Sequence, residues 1–415
     1  MKPKVFDINY FVTLLFLLLS ANASILSSSL VAWGICMALI FAIAFINKSF
    51  EKKEVQSIAI FTGIYLVFVT LRFVIFNDLE NDYLISDYIF LFKYVYLTFL
   101  VCVILKDKLM ANVVKVMTHL TIISFVFYAL QLLSGDTMYK LFSTLNFPTG
   151  NSIPGYSNVL FFTYTQGFHD LANSGFVWEP GAFGCFLVIT LMFHFFLNKF
   201  KFDAVAILFI VASITTFSTT NYLGLAMLLF LAYRYRVPKI NIYVLILIPA
   251  IVLAFIFIPF LGDKIVDTYK EDMRDLNHMK MLQKWYHHNR MQIPLNRFSS
   301  MVYIYDTFQD KLILGVSNKY NDILNKSYTV NISNGTFDFL AKFGVVGFVY
   351  VLFRFARFCK PYVITWENMI YCIVLLFVLS FGEPILALPI VIVFLFIKAK
   401  QVVLGKKPET EPARI

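Results

Sequence analysis

The amino-acid sequence predicts an all-α, polytopic integral membrane protein with about twelve transmembrane helices and two long outward-facing loops. Three observations lead there. Hydrophobic residues make up 59% of the 415 positions and charged residues only 14%, with a mean hydropathy of +0.74, a balance foreign to soluble domains of this size. Apolar runs long enough to cross a bilayer recur from end to end. The basic residues, which give a formal charge of +10, fall in alternate short loops. That spread follows topology rather than one soluble face, so nucleic acid is not an expected partner.

The expected spans lie near residues 9–21, 28–46, 58–76, 88–105, 113–133, 180–197, 204–217, 221–233, 240–260, 336–353, 362–381 and 384–397. They divide the chain into an N-terminal set (1–135), a first outer loop (136–178), a middle set (179–260), a large outer loop (261–335), a last set (336–398) and a tail (399–415). The first span follows Met1-Lys2-Pro3-Lys4 without a small-residue cleavage site, so it reads as a span and not a removed signal peptide. The seventh and eighth are short enough to form one hairpin bent at Ser218-Thr219-Thr220, whose hydroxyls can satisfy freed backbone groups. Lys48, Lys52, Lys53, Lys106, Lys108, Lys199, Lys201, Arg234, Arg236, Lys239, Arg354, Arg357, Lys360 and the tail lysines share one side. The opposite short loops, 22–27, 77–87 and 382–383, are acidic or neutral. The positive-inside rule then puts both termini in the cytoplasm and both long loops outside.

The first outer loop carries Phe161, Phe162, Tyr164 and His169, a composition shared by sugar-binding surfaces and interfacial aromatic belts. The second opens with Ile265, Tyr269, Met273, Leu276, Leu282 and Tyr286 at helical spacing, an amphipathic helix expected to lie on the membrane face as a lid. Pro294 ends it, and Asn296 is a good N-cap for a second helix over 297–309. The five cysteines fall in or beside spans, and His278, His287 and His288 lack metal-ligand spacing, so neither a disulfide scaffold nor a metal site is expected.

The stretch Asn173-Ser174-Gly175-Phe176-Val177-Trp178-Glu179-Pro180-Gly181-Ala182-Phe183-Gly184 joins a polar segment to the sixth span. Pro180 suits the first turn of a helix, and Glu179 falls on the positive end of the helix dipole. A lone acid there is ordinarily a cap, but ionisable groups at membrane depth are costly and usually functional. Arg72 and Lys93 sit near the outer ends of consecutive spans; they either snorkel or form a phosphate site for a lipid headgroup. Arg290 and Arg297 bracket Pro294, and Arg297 follows the N-cap, so its guanidinium and its helix N-terminus can act on one anion. Ser218 and Thr219 are explained by backbone satisfaction or by a polar site at the bend.

Asn-x-Gly-x-x-x-Glu-Pro-Gly-Ala-Phe at a span start resembles the motif of bacterial O-antigen and capsule repeat-unit polymerases, within the O-antigen ligase-like family. Thr215–Tyr222 is similar to that family's Ser/Thr-rich turn, and Asn296-Arg297-Phe298-Ser299-Ser300 to its outer-loop arginine segment. Leu314-Gly315-Val316-Ser317 resembles its Leu-Gly-x-Gly, with Ser317 in place of the second glycine; Ser333-Asn334-Gly335, Gly344 and Gly347 complete the likeness, which covers about 173–389. Family ligases carry a histidine where this chain has Ser333-Asn334, which favours a polymerase.

The resemblance implies a type C glycosyltransferase fold in the bacterial inner membrane, without cofactor or metal. It implies transfer of a growing glycan from undecaprenyl diphosphate to the next lipid-linked unit, with a chain-length regulator and a flippase as candidate protein partners. A ligase, or a flippase or other transporter, is the alternative; transporters usually show repeats and midplane polar sites. Glu179 and Arg297 would then be catalytic, as base or orienting carboxylate and as diphosphate clamp. Arg290, Arg72, Lys93, Asn173, Asn334, Ser218 and Thr219 would bind diphosphate or glycan, with Asn173 and Asn334 orienting either sugars or the loop backbone, and Gly175, Pro180, Gly181 and Gly335 would shape the motifs. The topology is checked with Lys284→Cys and Lys407→Cys in a background free of native cysteines. An impermeant maleimide should label the first and not the second in whole cells; the reverse pattern overturns the orientation.

Overall fold

The computed structural model describes residues 7–76, 79–144, 156–167, 169–236, 267, 269–278, 292–324, 329–363 and 365–397. Arg290, the span expected at 240–260, most of the expected lid and the tail lie outside them. The chain forms helices α1 (Ile8–Ser20), α2 (Leu30–Ile46), α3 (Lys52–Ile75), α4 (Asn81–Phe90), α5 (Leu97–Leu105), α6 (Leu109–Thr144), α7 (Pro180–Leu197), α8 (Ala204–Thr215), α9 (Thr219–Arg236), α10 (Arg297–Phe308), α11 (Gly335–Cys359) and α12 (Trp366–Gly382). Two short ribbons accompany them: β1 (Tyr156–Asn158) antiparallel to β2 (Thr163–Thr165), and β3 (Gln292–Leu295) parallel to β4 (Thr329–Ile332). Among the described residues four helical stretches, Lys52–Ile75, Asn81–Ser143, Pro180–Leu197 and Gly335–Cys359, are long and apolar enough to cross a membrane.

The axis of the bundle is α7. Its sequence is apolar on every face, the signature of a helix enclosed by others, and every residue from Pro180 to Phe196 is buried. It packs against α6, α8 and α9. The expected hairpin forms between α8 and α9, whereas α6 runs on to Thr144, beyond the boundary expected at 135, with a kink at Ser134.

The twelfth expected span is not a regular helix. Residues 384–397 hold only one helical turn, Pro389–Ile392, and a 3-10 turn, Val393–Leu395, because Pro384 and Pro389 interrupt the ladder. The segment is nevertheless buried from Ile385 to Leu395, with Phe394 set among Phe193, Phe355 and Phe358. Non-helical backbone survives at membrane depth only where protein encloses it, and here the Arg354 guanidinium donates to the Leu395 carbonyl.

A second core, including Leu79, Tyr83, Leu276, Leu295, Ile304, Phe308, Val316 and Tyr320, caps one end of the bundle. The described part of the expected lid, residues 269–278, belongs to it: Leu276 and Asp272 are buried there while Tyr269 is exposed. Arg72 fastens this cap. It is 1% exposed, ion-paired with Asp87, and donates 2.7 Å to the Lys342 carbonyl. Asp87 also accepts from the backbone and side-chain nitrogens of Asn318 at 3.0 and 2.9 Å, and Ser317 donates 3.0 Å to the Tyr83 carbonyl. At the same place Gly315 and Gly344, both at positive φ, cross so closely that a Cβ on either would lie 2.4 Å from the other's nitrogen.

Two expectations are corrected here. Arg72 is spent within the fold and offers no free guanidinium, and Lys93 donates 2.6 Å to the Ser27 carbonyl, tying the turn that precedes α2. Phe162 and Tyr164 are not a sugar-facing surface. Both are fully buried, stacked on Phe127 and Phe142 respectively. Breaking a buried ion pair from one side costs about 3–5 kcal/mol, more than replacing both partners with apolar residues. Asp87→Ala should therefore lower the thermal midpoint in detergent sharply, and Arg72→Met with Asp87→Leu should lower it less; an unchanged midpoint for Asp87→Ala contradicts this.

Candidate active site

The segment leading into α7 is held rigidly before any substrate arrives. Asn173 is buried; its Nδ2 donates to Ser124 Oγ at 3.3 Å and Thr215 Oγ1 at 3.2 Å, and its Oδ1 accepts from Gly175 N at 3.0 Å. These bonds make it a pin between the motif and α6 and α8, the loop-backbone role of the two expected of it. Gly175 lies at positive φ with the Phe183 ring where a side chain would stand. Pro180 opens α7, and Glu179 is extended, as the residue before a proline prefers. Although Glu179 stands at the N-cap, its side chain makes no capping bond. Trp178 Nε1 instead donates 2.7 Å to Glu179 Oε1.

A second carboxyl meets it, one that sequence reasoning did not single out. Glu383, between α12 and the irregular segment, has a side chain 6% exposed that adjoins the Glu179 side chain. Its seat explains two motif glycines: a Cβ on Gly181 would lie 1.9 Å from Glu383 Oε1, and one on Gly335 would lie 2.1 Å from the Glu383 carbonyl oxygen. The available signal was local. Gly382-Glu383-Pro384 repeats the Glu-Pro pairing of Glu179-Pro180-Gly181 at another helix end. The neighbouring hairpin closes the wall: Thr220 packs against Gly382, and buried Asn221 donates 2.8 Å to the Gly181 carbonyl. Ser218 is half-buried and Thr219 exposed at the same bend, so the contacts expected of them fall one or two residues later.

Arg297 opens α10 beside this pair. Its Nε donates 3.3 Å to the Gly382 carbonyl, and its Nη2 lies 3.7 Å from Glu383 Oε1, with 40% of the side chain exposed. A committed guanidinium–carboxylate bond closes to about 2.7–2.9 Å, so Arg297 is held loosely, unlike Arg72. Asn334 fixes its backbone, donating 3.0 Å to the Arg297 carbonyl while its Oδ1 caps α11 at Phe337 N, 3.1 Å. Of the two roles expected of Asn334, sugar or loop backbone, these bonds give it the second, in support of the arginine. The N-terminus of α10 is also taken: Asp272 Oδ2 accepts from Phe298 N at 3.1 Å and Ser299 N at 3.4 Å. The guanidinium alone, without its helix dipole, is left for an external anion.

Burial, then the adjoining Glu179, pushes the Glu383 carboxyl well above the usual carboxylate range, against the pull of Arg297. Burial and both glutamates likewise raise the phenol of Tyr156 at the edge of the site. The cluster thus combines a half-exposed carboxylate, a buried carboxyl favouring its proton, and a half-exposed guanidinium. It can take a proton from one partner while neutralising anionic charge on another.

A family model described as O-Antigen ligase matches residues 204–352, a stretch that contains Arg297 and Asn334 and leaves Glu179 and Glu383 outside. No curated protein and no solved structure matches the chain. The match supports the O-antigen ligase-like family, whose members are glycosyltransferase-like enzymes of O-antigen synthesis.

Gly181→Ala should displace the flexible Glu383 carboxyl and abolish activity at near-normal folded yield, whereas Gly335→Ala meets rigid backbone and should lower the yield itself. Comparing monodisperse protein after detergent extraction with activity checks both. Equal yields and activities would show that the close approaches carry no weight.

Proposed function

We propose that the chain is a polymerase of surface polysaccharide, O-antigen or capsule, working at the outer face of a bacterial inner membrane with both termini in the cytoplasm. It joins oligosaccharide repeat units carried on undecaprenyl diphosphate and releases that diphosphate, as a type C glycosyltransferase without metal. The observation that carries this reading is Arg297, a loosely held guanidinium with 40% of its side chain exposed, set against Glu383, the carboxyl that adjoins half-buried Glu179. A departing diphosphate needs a cation at its leaving oxygens, and an acceptor hydroxyl needs a base or orienting carboxylate. Arg297 and Glu179 supply these roles. Arg290 remains a candidate second clamp; Arg72 and Lys93 support the fold.

The description of the matching family favours a second reading, transfer of finished glycan by a ligase. Ser333 does not stand free to replace a ligase histidine: its Oγ donates 2.8 Å to the Leu295 carbonyl, which supports the polymerase. A transporter would concentrate polar groups at the midplane, whereas the acids and arginine gather here at one end of α7, α10 and α12. A deletion strain distinguishes the enzymes, because loss of a polymerase leaves one repeat unit per acceptor and loss of a ligase leaves none.

Variants are read as glycan ladder length in that strain at matched membrane abundance. Arg297→Ala should lose about 100-fold or more of transfer, the scale for removing a transition-state donor. Arg297→Lys should fail nearly as badly, since an ammonium cannot fork across two oxygens, and Glu179→Gln should abolish ladders without loss of protein. Normal ladders from Glu179→Gln would restrict Glu179 to holding the loop.

A further inference from the structure

We propose that Glu383 is a second working carboxyl of the site: it keeps one proton shared with Glu179, and so leaves the guanidinium of Arg297 free to hold a diphosphate. The inference rests on the reaction just assigned and deepens it. Glu383 is buried, lies 3.7 Å from the Arg297 guanidinium, and is seated over the Cα of Gly181, two residues past Glu179, where no side chain intervenes. Two carboxyls crowded at one buried helix start repel each other as anions, so the pair favours holding one proton. At 3.7 Å from Glu383 Oε1 the Arg297 guanidinium is not committed to this carboxyl and can turn to a ligand.

The charge balance decides between these states. With both acids ionised the trio is net negative and repels a diphosphate. One retained proton cancels that excess and leaves Arg297 uncommitted. Among the described residues, the other titratable groups facing Glu383 are Tyr156 from β1, whose phenol burial and both glutamates raise, and Cys185 from α7.

The step balances as follows. The acceptor hydroxyl oxygen forms its bond to the donor sugar's anomeric carbon as the bond from that carbon to the diphosphate oxygen breaks. The bonding pair leaves with the diphosphate, which Arg297 holds. The hydroxyl proton passes to Glu179, already held by Trp178, and later returns to solvent along its exposed edge. Glu383 keeps its own proton throughout, so it is a positioning residue that acts through Glu179 and Arg297.

The test uses purified full-length protein with farnesyl diphosphate as the probe. The infrared difference between wild type and Glu383→Gln at neutral pH should show a protonated-carboxyl stretch present only in wild type. Wild-type affinity for the probe should fall by up to about tenfold per pH unit above the titration of the pair, while Glu383→Gln holds its affinity. Should that variant fail to fold, Glu179→Gln gives the check from the other side, moving the loss of the carboxyl band to lower pH. No protonated-carboxyl band in wild type, or the same pH dependence of binding in both proteins, overturns the proposal. If both signals are found and no glycan is ever extended, the shared proton stands and only the assigned reaction falls.

Discussion

The carboxyl of Glu383 lies against the Cα of Gly181 while its carbonyl lies against Gly335, and these two approaches bind the starts of α7 and α11 to the end of α12. Neither glycine tolerates a methyl group without moving something else. Everything chemical at this end depends on that junction: Glu179 is brought to Glu383, Arg297 is hung on the Gly382 carbonyl, and Asn334 ties the arginine's backbone to the cap of α11. The junction is itself braced by the hairpin, through Asn221 and the Gly181 carbonyl.

Two arginine–carboxylate pairs in one molecule do different things, and burial separates them. Arg72 and Asp87 are enclosed, and the pair spends its remaining donors and acceptors on Lys342 and Asn318. Such a pair must be complete, because an orphaned charge there is severely penalised. Arg297 keeps much of its surface and a long contact to its carboxyl, so its partner can be exchanged for a ligand. Asp272 on the α10 N-terminus makes the same division: the dipole is used for folding, and the side chain alone is left for binding.

Spans were legible wherever composition decides them. The run Pro180–Leu197 matches the expected span end to end, since a proline start and an unbroken apolar sequence fix both bounds locally. The last apolar run, 384–397, looked the same by hydropathy but contains two prolines, and only its enclosure by α1, α5 and α11 permits the irregular path. Site residues were legible only in part. Glu179 and Arg297 stood in recognisable local settings, whereas the fate of Arg72 depends on Lys342, far away in sequence. Glu383 was read as a mark of topology because its partners, Gly181 and Gly335, lie in other segments.

The central claim is that this end of the bundle joins lipid-linked units and lets a diphosphate go. The most direct measurement supplies the purified protein in lipid nanodiscs with single repeat units on undecaprenyl diphosphate, and follows glycan length and free lipid diphosphate together. The account predicts chains of two or more units with one lipid diphosphate released for each bond formed, and neither product with Arg297→Ala. Units moved only onto a different acceptor, or chains that lengthen without release of lipid diphosphate, would contradict it.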